Sequence, residues 1–156
     1  MRKNSGFTTY ELAVTIAIIS VIAALTLPPY LSWWRTSRLQ SAVSNLTADL
    51  EMAKTRAIRE NAFVVIKFHT GSYTIFVDNN KDWDPNNGEN ILLNRSLPAG
   101  VFVDTASLSF PTVNDKLRFN GRGIPFEIVS EEQIRVNQAS NNRQIKINRL
   151  GKINVQ

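Results

Sequence analysis

The sequence predicts an α+β protein in which a long N-terminal α-helix, a transmembrane half followed by an amphipathic half, packs on an antiparallel β-sheet globular domain. Three observations carry this expectation. No charged residue occurs between Leu12 and Trp34. Apolar residues then recur at three- and four-residue spacing from Leu39 to Ala57. Beyond Asn61 the pattern changes to short β-rich segments punctuated by Gly and Asn.

Composition narrows the chemistry before any motif is considered. The 156 residues are 43% hydrophobic and 20% charged, which suits one modest folded domain and excludes a disordered chain. There is no Cys, so no disulfide framework, thiol nucleophile or cysteinyl metal site can form. His69 is the only histidine, which excludes a multi-histidine metal cluster within the chain. The net charge of +5 is moderate and leaves room for a basic face without requiring one.

The first element is the apolar run Leu12 to Leu31, whose polar members are Thr15, Ser20, Thr26 and Tyr30. As a helix, those 20 residues reach about 30 Å, the thickness of a bilayer's hydrocarbon core. A secretory signal peptide is the competing reading, because Arg2 and Lys3 give a basic start. Its apolar stretch is usually only about 7–15 residues and ends in small residues. Here Pro28-Pro29-Tyr30 and then Trp33-Trp34 follow, which suits an interfacial aromatic belt and a retained membrane helix. Glu11 is out of place beside such a run. Its carboxylate either stays wet at the headgroup level or meets a cation inside a packed assembly.

The second half of the helix carries Leu39, Ala42, Val43, Leu46, Leu50, Ala53 and Ala57 as one stripe, with polar residues on the remaining positions. Between the halves, Pro28 and Pro29 lack amide donors and are expected to interrupt or kink the helix. Strands are expected at 62–68 and 72–77, joined through His69-Thr70-Gly71, and at 91–94, 101–103, 116–119 and 125–129. Three more are expected at 133–137, 144–148 and 152–155, with turns at Asn141-Asn142 and Leu150-Gly151.

Two constellations in the globular part bear on chemistry. Asp78, Asn80, Asp82, Asp84 and Glu89 place oxygen side chains at loop positions 1, 3, 5, 7 and 12, the spacing of a calcium loop. Trp83 stands where such a loop has its turning glycine, Pro85 departs further, and Asx-rich loops form turns without any ion. A plain polar connection is therefore the main reading and calcium the alternative. The second constellation is the basic end, where Arg143, Lys146, Arg149 and Lys152 occur without an acidic residue. It is a solvated strand pair or a patch for nucleic-acid phosphates. The sequence holds no Walker loop, nucleophile elbow or zinc helix, so it offers no catalytic residues and reads as a non-enzyme.

Gly6-Phe7-Thr8-Thr9-Tyr10-Glu11, with the basic leader before it and the apolar run after it, resembles the class III signal of type IV pilins and type II secretion pseudopilins. The later pattern, a β-rich part ending in a basic strand pair, most resembles the GspH/FimT group of minor subunits. The resemblance implies that prepilin peptidase cuts between Gly6 and Phe7 and methylates the new amino terminus. The chain then divides into a leader at 1–6, a transmembrane and assembly helix at 7–34, and the amphipathic helix with its β-rich domain at 35–156. Glu11 becomes the fifth mature residue, and the ammonium freed at Phe7 of an incoming subunit is the cation it lacks. Pro28 falls where many members carry a helix-interrupting proline. The implied protein is a minor pilin or pseudopilin that helps initiate or cap a filament in the bacterial inner membrane, with its domain on the periplasmic side. Its implied partners are other pilin or pseudopilin subunits, prepilin peptidase, the inner-membrane assembly platform and membrane lipid, with no cofactor. DNA uptake is the alternative. Some FimT-like proteins present a C-terminal Gly-Arg-x-Arg, but here the matching stretch is Gly151-Lys152-Ile153-Asn154.

Overall fold

The computed structural model describes residues 6–85, 88–108, 110, 115–126, 128, 130–139 and 141–156, the side chains of 26–29 excepted. The first five residues of the leader, Met1 to Ser5, lie outside the described residues. Helix α1 runs Thr9–Glu60. It is followed by β1 (Phe63–His69), β2 (Ser72–Asp78), β3 (Ile91–Ser96) and β4 (Phe102–Val103). A 3-10 turn at Thr105–Ser107 precedes β5 (Lys116–Phe119), β6 (Glu131–Gln138), β7 (Asn141–Asn148) and β8 (Ile153–Val155).

The helix is not interrupted at Pro28-Pro29, contrary to expectation: one helical element covers both prolines. Each proline removes one backbone donor, but its fixed φ is itself helical, so a long apolar run can carry the helix through the gap. The chain forms two compact units, Met1–Thr36 and Ser37–Gln156. In the first, the apolar side chains of Leu12, Ile16, Ile18, Ile19, Ile22 and Leu25 are all exposed. The helix is long and apolar enough there to cross a membrane by length and composition.

The second unit holds the core. Strands pair in the order β3-β2-β1-β5 in one sheet and β4-β6-β7-β8 in the other, and every strand pair is antiparallel. Leu39, Ala42, Val43, Leu46, Leu50, Ala53 and Ala57 of α1 are all buried, as their spacing predicts. They form one cluster with Val64, Ile66 and Phe68 of β1 and with Ile134, Val136, Ile145 and Ile147 of the second sheet. Burying each of the larger aliphatic side chains contributes about 1.5–3 kcal/mol, so this stripe is the main bond between helix and sheets.

Two further predicted details differ. The segment 125–129 is no strand among the described residues. Pro125 makes only an isolated bridge to Phe119, and Glu127 and Val129 lie outside the description. Asn141-Asn142 begins β7 rather than forming the turn, because Gln138 pairs with Asn141 and the connection falls at 139–140, where Ala139 has a φ of 49°. The turn at Leu150-Gly151 is where the sequence places it. The Asn148 side-chain oxygen accepts from the amides of Leu150 and Lys152, and Gly151 has a φ of 74°. A Cβ at Gly151 would also collide with the carbonyl oxygen of Gly123, so glycine is required there twice over.

One polar cluster interrupts the apolar stripe. Asp49, on α1, accepts from the Tyr73 hydroxyl at 2.6 Å and from the Arg95 guanidinium at 2.6 and 3.2 Å. Tyr73 and Arg95 face each other across the β2–β3 pair, so the carboxylate ties helix to sheet at one point. Burial, reinforced by the Asp49 hydrogen bond and charge, pushes the Tyr73 phenol well above its ordinary 10.0. A phenol that holds its proton more tightly when folded contributes fully below pH about 10, and that contribution is lost as pH rises through the folded value. Asp49→Ala should cost about 3 kcal/mol, because it strands a fully buried hydroxyl and a guanidinium together. Asp49→Asn, which keeps an acceptor for Tyr73, should cost less. Urea unfolding of the full-length protein in detergent, followed by circular dichroism, measures both.

Candidate functional site

The start of α1 is built by a reciprocal cap. The Thr8 amide and hydroxyl both donate to one Glu11 carboxylate oxygen, at 3.0 and 2.9 Å, and the Glu11 amide donates back to the Thr8 hydroxyl at 3.2 Å. This is the Thr-x-x-Glu capping box, which satisfies amides at the helix start that have no partner within the helix. Sequence reasoning read Glu11 as a carboxylate that stays wet at the headgroup level or meets a cation, and missed this local role. The Thr8 to Glu11 spacing is the signal that could have found it. Gly6, Phe7 and Glu11 lie together at an exposed helix end, so the peptide bond and the carboxylate are both open to other proteins.

The connection after β2 folds over the face of the first sheet that α1 does not cover. Strand register puts Phe63, Val65 and Lys67 of β1 on that face with Phe76, Asp78, Lys116 and Arg118. Arg118 is the hub. Its guanidinium lies 3.8 Å from the Trp83 ring, 4.3 Å from Phe126 and 4.6 Å from Phe63, and it pairs with Asp78 at 3.2 Å. The arginine and its carboxylate are both buried. A planar guanidinium suits stacking and ion pairing at once, which a lysine ammonium does not. Trp83, where a calcium loop has glycine, takes a φ of 70° and is held there by this stack.

Asp84 is used differently from its predicted part. Lys67 and Lys116 face each other across β1 and β5, and both ammoniums donate to one Asp84 oxygen, at 2.8 and 2.9 Å. Those hydrogen bonds, Lys67's the larger, hold the Asp84 carboxyl below the ordinary carboxylate range. The carboxylate relieves a like-charge cross-strand pair, so Asp84 anchors the loop and is not poised as an ion ligand. Asn80 donates to Asp82 at 2.8 Å. Of the five predicted oxygen donors, Asp78, Asp82 and Glu89 do converge, with one carboxylate oxygen from each lying within 4.8 Å of the others. Asn86 and Asn87 in the same loop lie outside the described residues.

The basic end does not form one face. Arg143 shares the face of Ile145 and Ile147, whereas Lys146 points to the opposite side of β7, where it pairs with Glu131 at 3.6 Å. Arg149 sits in the turn after β7 and Lys152 just before β8, both exposed. Alternation along β7 separates Arg143 from Lys146, whatever their closeness in sequence.

A long helix whose second half packs on antiparallel sheets, with its apolar first half exposed, is the architecture of a pilin-like subunit. The family described as Type II transport protein GspH matches residues 42–151, well over half of the chain, and the chain belongs to that family. A "Fimbrial protein" of Pseudomonas aeruginosa is 35% identical over 65 residues, covering 42% of this chain and 42% of that protein. "Pilin-like protein PilA1" of Thermus thermophilus is 38% identical over 85 residues, covering 51% of this chain and 53% of that one. The chain thus spans about half the length, or less, of these curated relatives. Among solved structures, the type IV minor pilin FimU of Pseudomonas aeruginosa shares the fold with a TM-score of 0.60 at 18% identity, covering 78% of this chain and 90% of that one.

Dispersed cations set a low ceiling on DNA binding. Titrating duplex DNA into the full-length protein should give millimolar affinity at best, with a log–log salt slope no steeper than about −2, the value for two neutralised phosphates. A slope near −4, reduced by about one on replacing each of Arg143, Lys146, Arg149 and Lys152 with Gln, would instead put all four on one phosphate track.

Proposed function

We propose that this chain is a minor pilin or pseudopilin, a structural subunit that helps initiate or cap a type II secretion pseudopilus or a type IV pilus. The observation that carries the reading is an exposed apolar helix that starts at Thr9, carries Glu11 in its first turn and leads into a domain of the GspH family. The exposed Leu12, Ile16, Ile18, Ile19, Ile22, Leu25 and Leu31 require either lipid or neighbouring helices of the same kind. The protein serves as a subunit and not as an enzyme. In the proposed course, the helix first anchors the chain in the bacterial inner membrane with its domain in the periplasm. Prepilin peptidase then cuts between Gly6 and Phe7, and the assembly platform moves the subunit from lipid into a bundle of like helices.

The capping box gives Glu11 a part in each state. In the single subunit its carboxylate holds the Thr8 amide and hydroxyl. In the bundle it also receives the ammonium that cleavage creates at Phe7 of a neighbouring subunit. Either charge alone in that dry interior is strongly unfavourable, so pairing favours one axial register. Removing Arg2 and Lys3 with the leader frees the helix to leave the membrane plane. DNA capture is the weaker reading, because the cations it needs are split between strand faces.

Intact mass of the membrane-extracted protein should show loss of Met1 to Gly6 and one added methyl. A full-length mass in cells with working prepilin peptidase would contradict the proposed processing. Glu11→Ala should leave the melting of the β-rich domain unchanged, because Glu11 belongs to the other compact unit. It should nevertheless reduce recovery of the protein in sheared filaments, or secretion through the pseudopilus, by roughly tenfold or more, the order expected for one unpaired buried charge. Wild-type assembly of that variant would remove the electrostatic register from the account.

A further inference from the structure

We propose that Asp78, Asp82 and Glu89 form a calcium site that fastens the connection between β2 and β3 onto the first sheet. The convergence of one oxygen from each within 4.8 Å is the first observation. Oxygens at that spacing can share one ion with bonds of about 2.4 Å, inside the calcium range of 2.3–2.6 Å. The second observation is independent of the clustering. The Asp78 side chain is fully buried, Arg118 occupies only its Oδ2, and Oδ1 has no hydrogen-bond donor among the described residues. Glu89 repeats the pattern: Oε1 accepts from the Asn79 amide at 3.1 Å, while Oε2 is buried without a donor. A buried carboxylate oxygen lacking any donor costs about 1–3 kcal/mol, and here two such oxygens belong to the same three-carboxylate group.

The neighbouring cations do not fill this need. Arg118 is committed to Asp78 Oδ2 and to its three aromatic rings. Lys67 and Lys116 are committed to Asp84, and Lys81 lies 5.6 Å over the Phe63 ring. Three carboxylates less the Arg118 charge leave about two negative charges, which a divalent ion balances. Oxygen-only ligands exclude the softer transition metals by preference. Asp82 is exposed, so water completes the coordination and the ion has a direct path in from that side. The predicted spacing therefore survives in a trimmed form, with Asp84 assigned to the lysines.

The test uses the full-length protein in detergent, with calcium chloride, magnesium chloride or EGTA as the only variable. A site of the weak extracellular class, with a dissociation constant of about 0.1–1 mM, stabilises the fold about 10- to 100-fold in its unfolding constant at about 10 mM calcium. The melting temperature should rise accordingly in calcium and not in magnesium. Terbium should bind with luminescence sensitised by Trp83, the residue after Asp82, and calcium should displace it. Asp82→Asn with Glu89→Gln should abolish the calcium shift while leaving the EGTA melting temperature unchanged or higher, because repulsion is relieved. Asp84→Asn should do the opposite, lowering melting in EGTA and keeping the calcium shift. Equal melting in calcium and EGTA, an equal response to magnesium, or an undiminished shift in the double variant would overturn the site. None of these outcomes bears on filament assembly, so the subunit reading and the calcium site fail separately.

Discussion

Everything in the folded domain depends on one stripe of side chains along the second half of α1. Leu39, Val43, Leu46 and Leu50 are buried on a single face, and Ala42, Ala53 and Ala57 supply the short side chains that let backbone approach backbone. Neither four-stranded sheet is paired to the other through its strands; both meet in the cluster that this stripe organises. Removing that face would leave two separate sheets, each with an apolar side in water.

The same helix answers to two solvents, and that constraint shapes function. Its first half carries apolar residues that are exposed among the described residues, a composition that suits lipid or neighbouring helices better than water. Its second half is polar outside and apolar inside, as a helix on a sheet must be. A chain built this way is incomplete by itself. The chain belongs to the GspH family and shares its fold with a minor pilin.

Charged and aromatic groups together hold the far face of the first sheet. Arg118 stacks with three aromatic rings and pairs with Asp78, while Asp84 bridges two lysines that would otherwise repel. A loop of this composition would ordinarily be a solvated turn. Here Asp84 turns toward the sheet because the strands beneath present Lys67 and Lys116 side by side. The loop is specific because it neutralises them.

By itself, the sequence determined whatever depends on local periodicity. The helical stripe, the hairpin through Thr70-Gly71, the exact limits of β5 and the Gly151 turn follow from spacing and from backbone conformations that few residues adopt. It also carried the family resemblance, in Gly6, Phe7 and Glu11 and their distance from the apolar run. Tertiary structure decided which charges meet. Arg118 and Asp78 are 40 positions apart, and Asp49 and Arg95 are 46 apart. Their pairing depends on strand register, which no short window contains. For the same reason Asp84 left the predicted oxygen set, Arg143 and Lys146 fell on opposite faces of β7, and the segment after Ile124 made a bridge where a strand was expected. Local spacing fixes which way a side chain points along its own element; only the packing of elements fixes what it finds there.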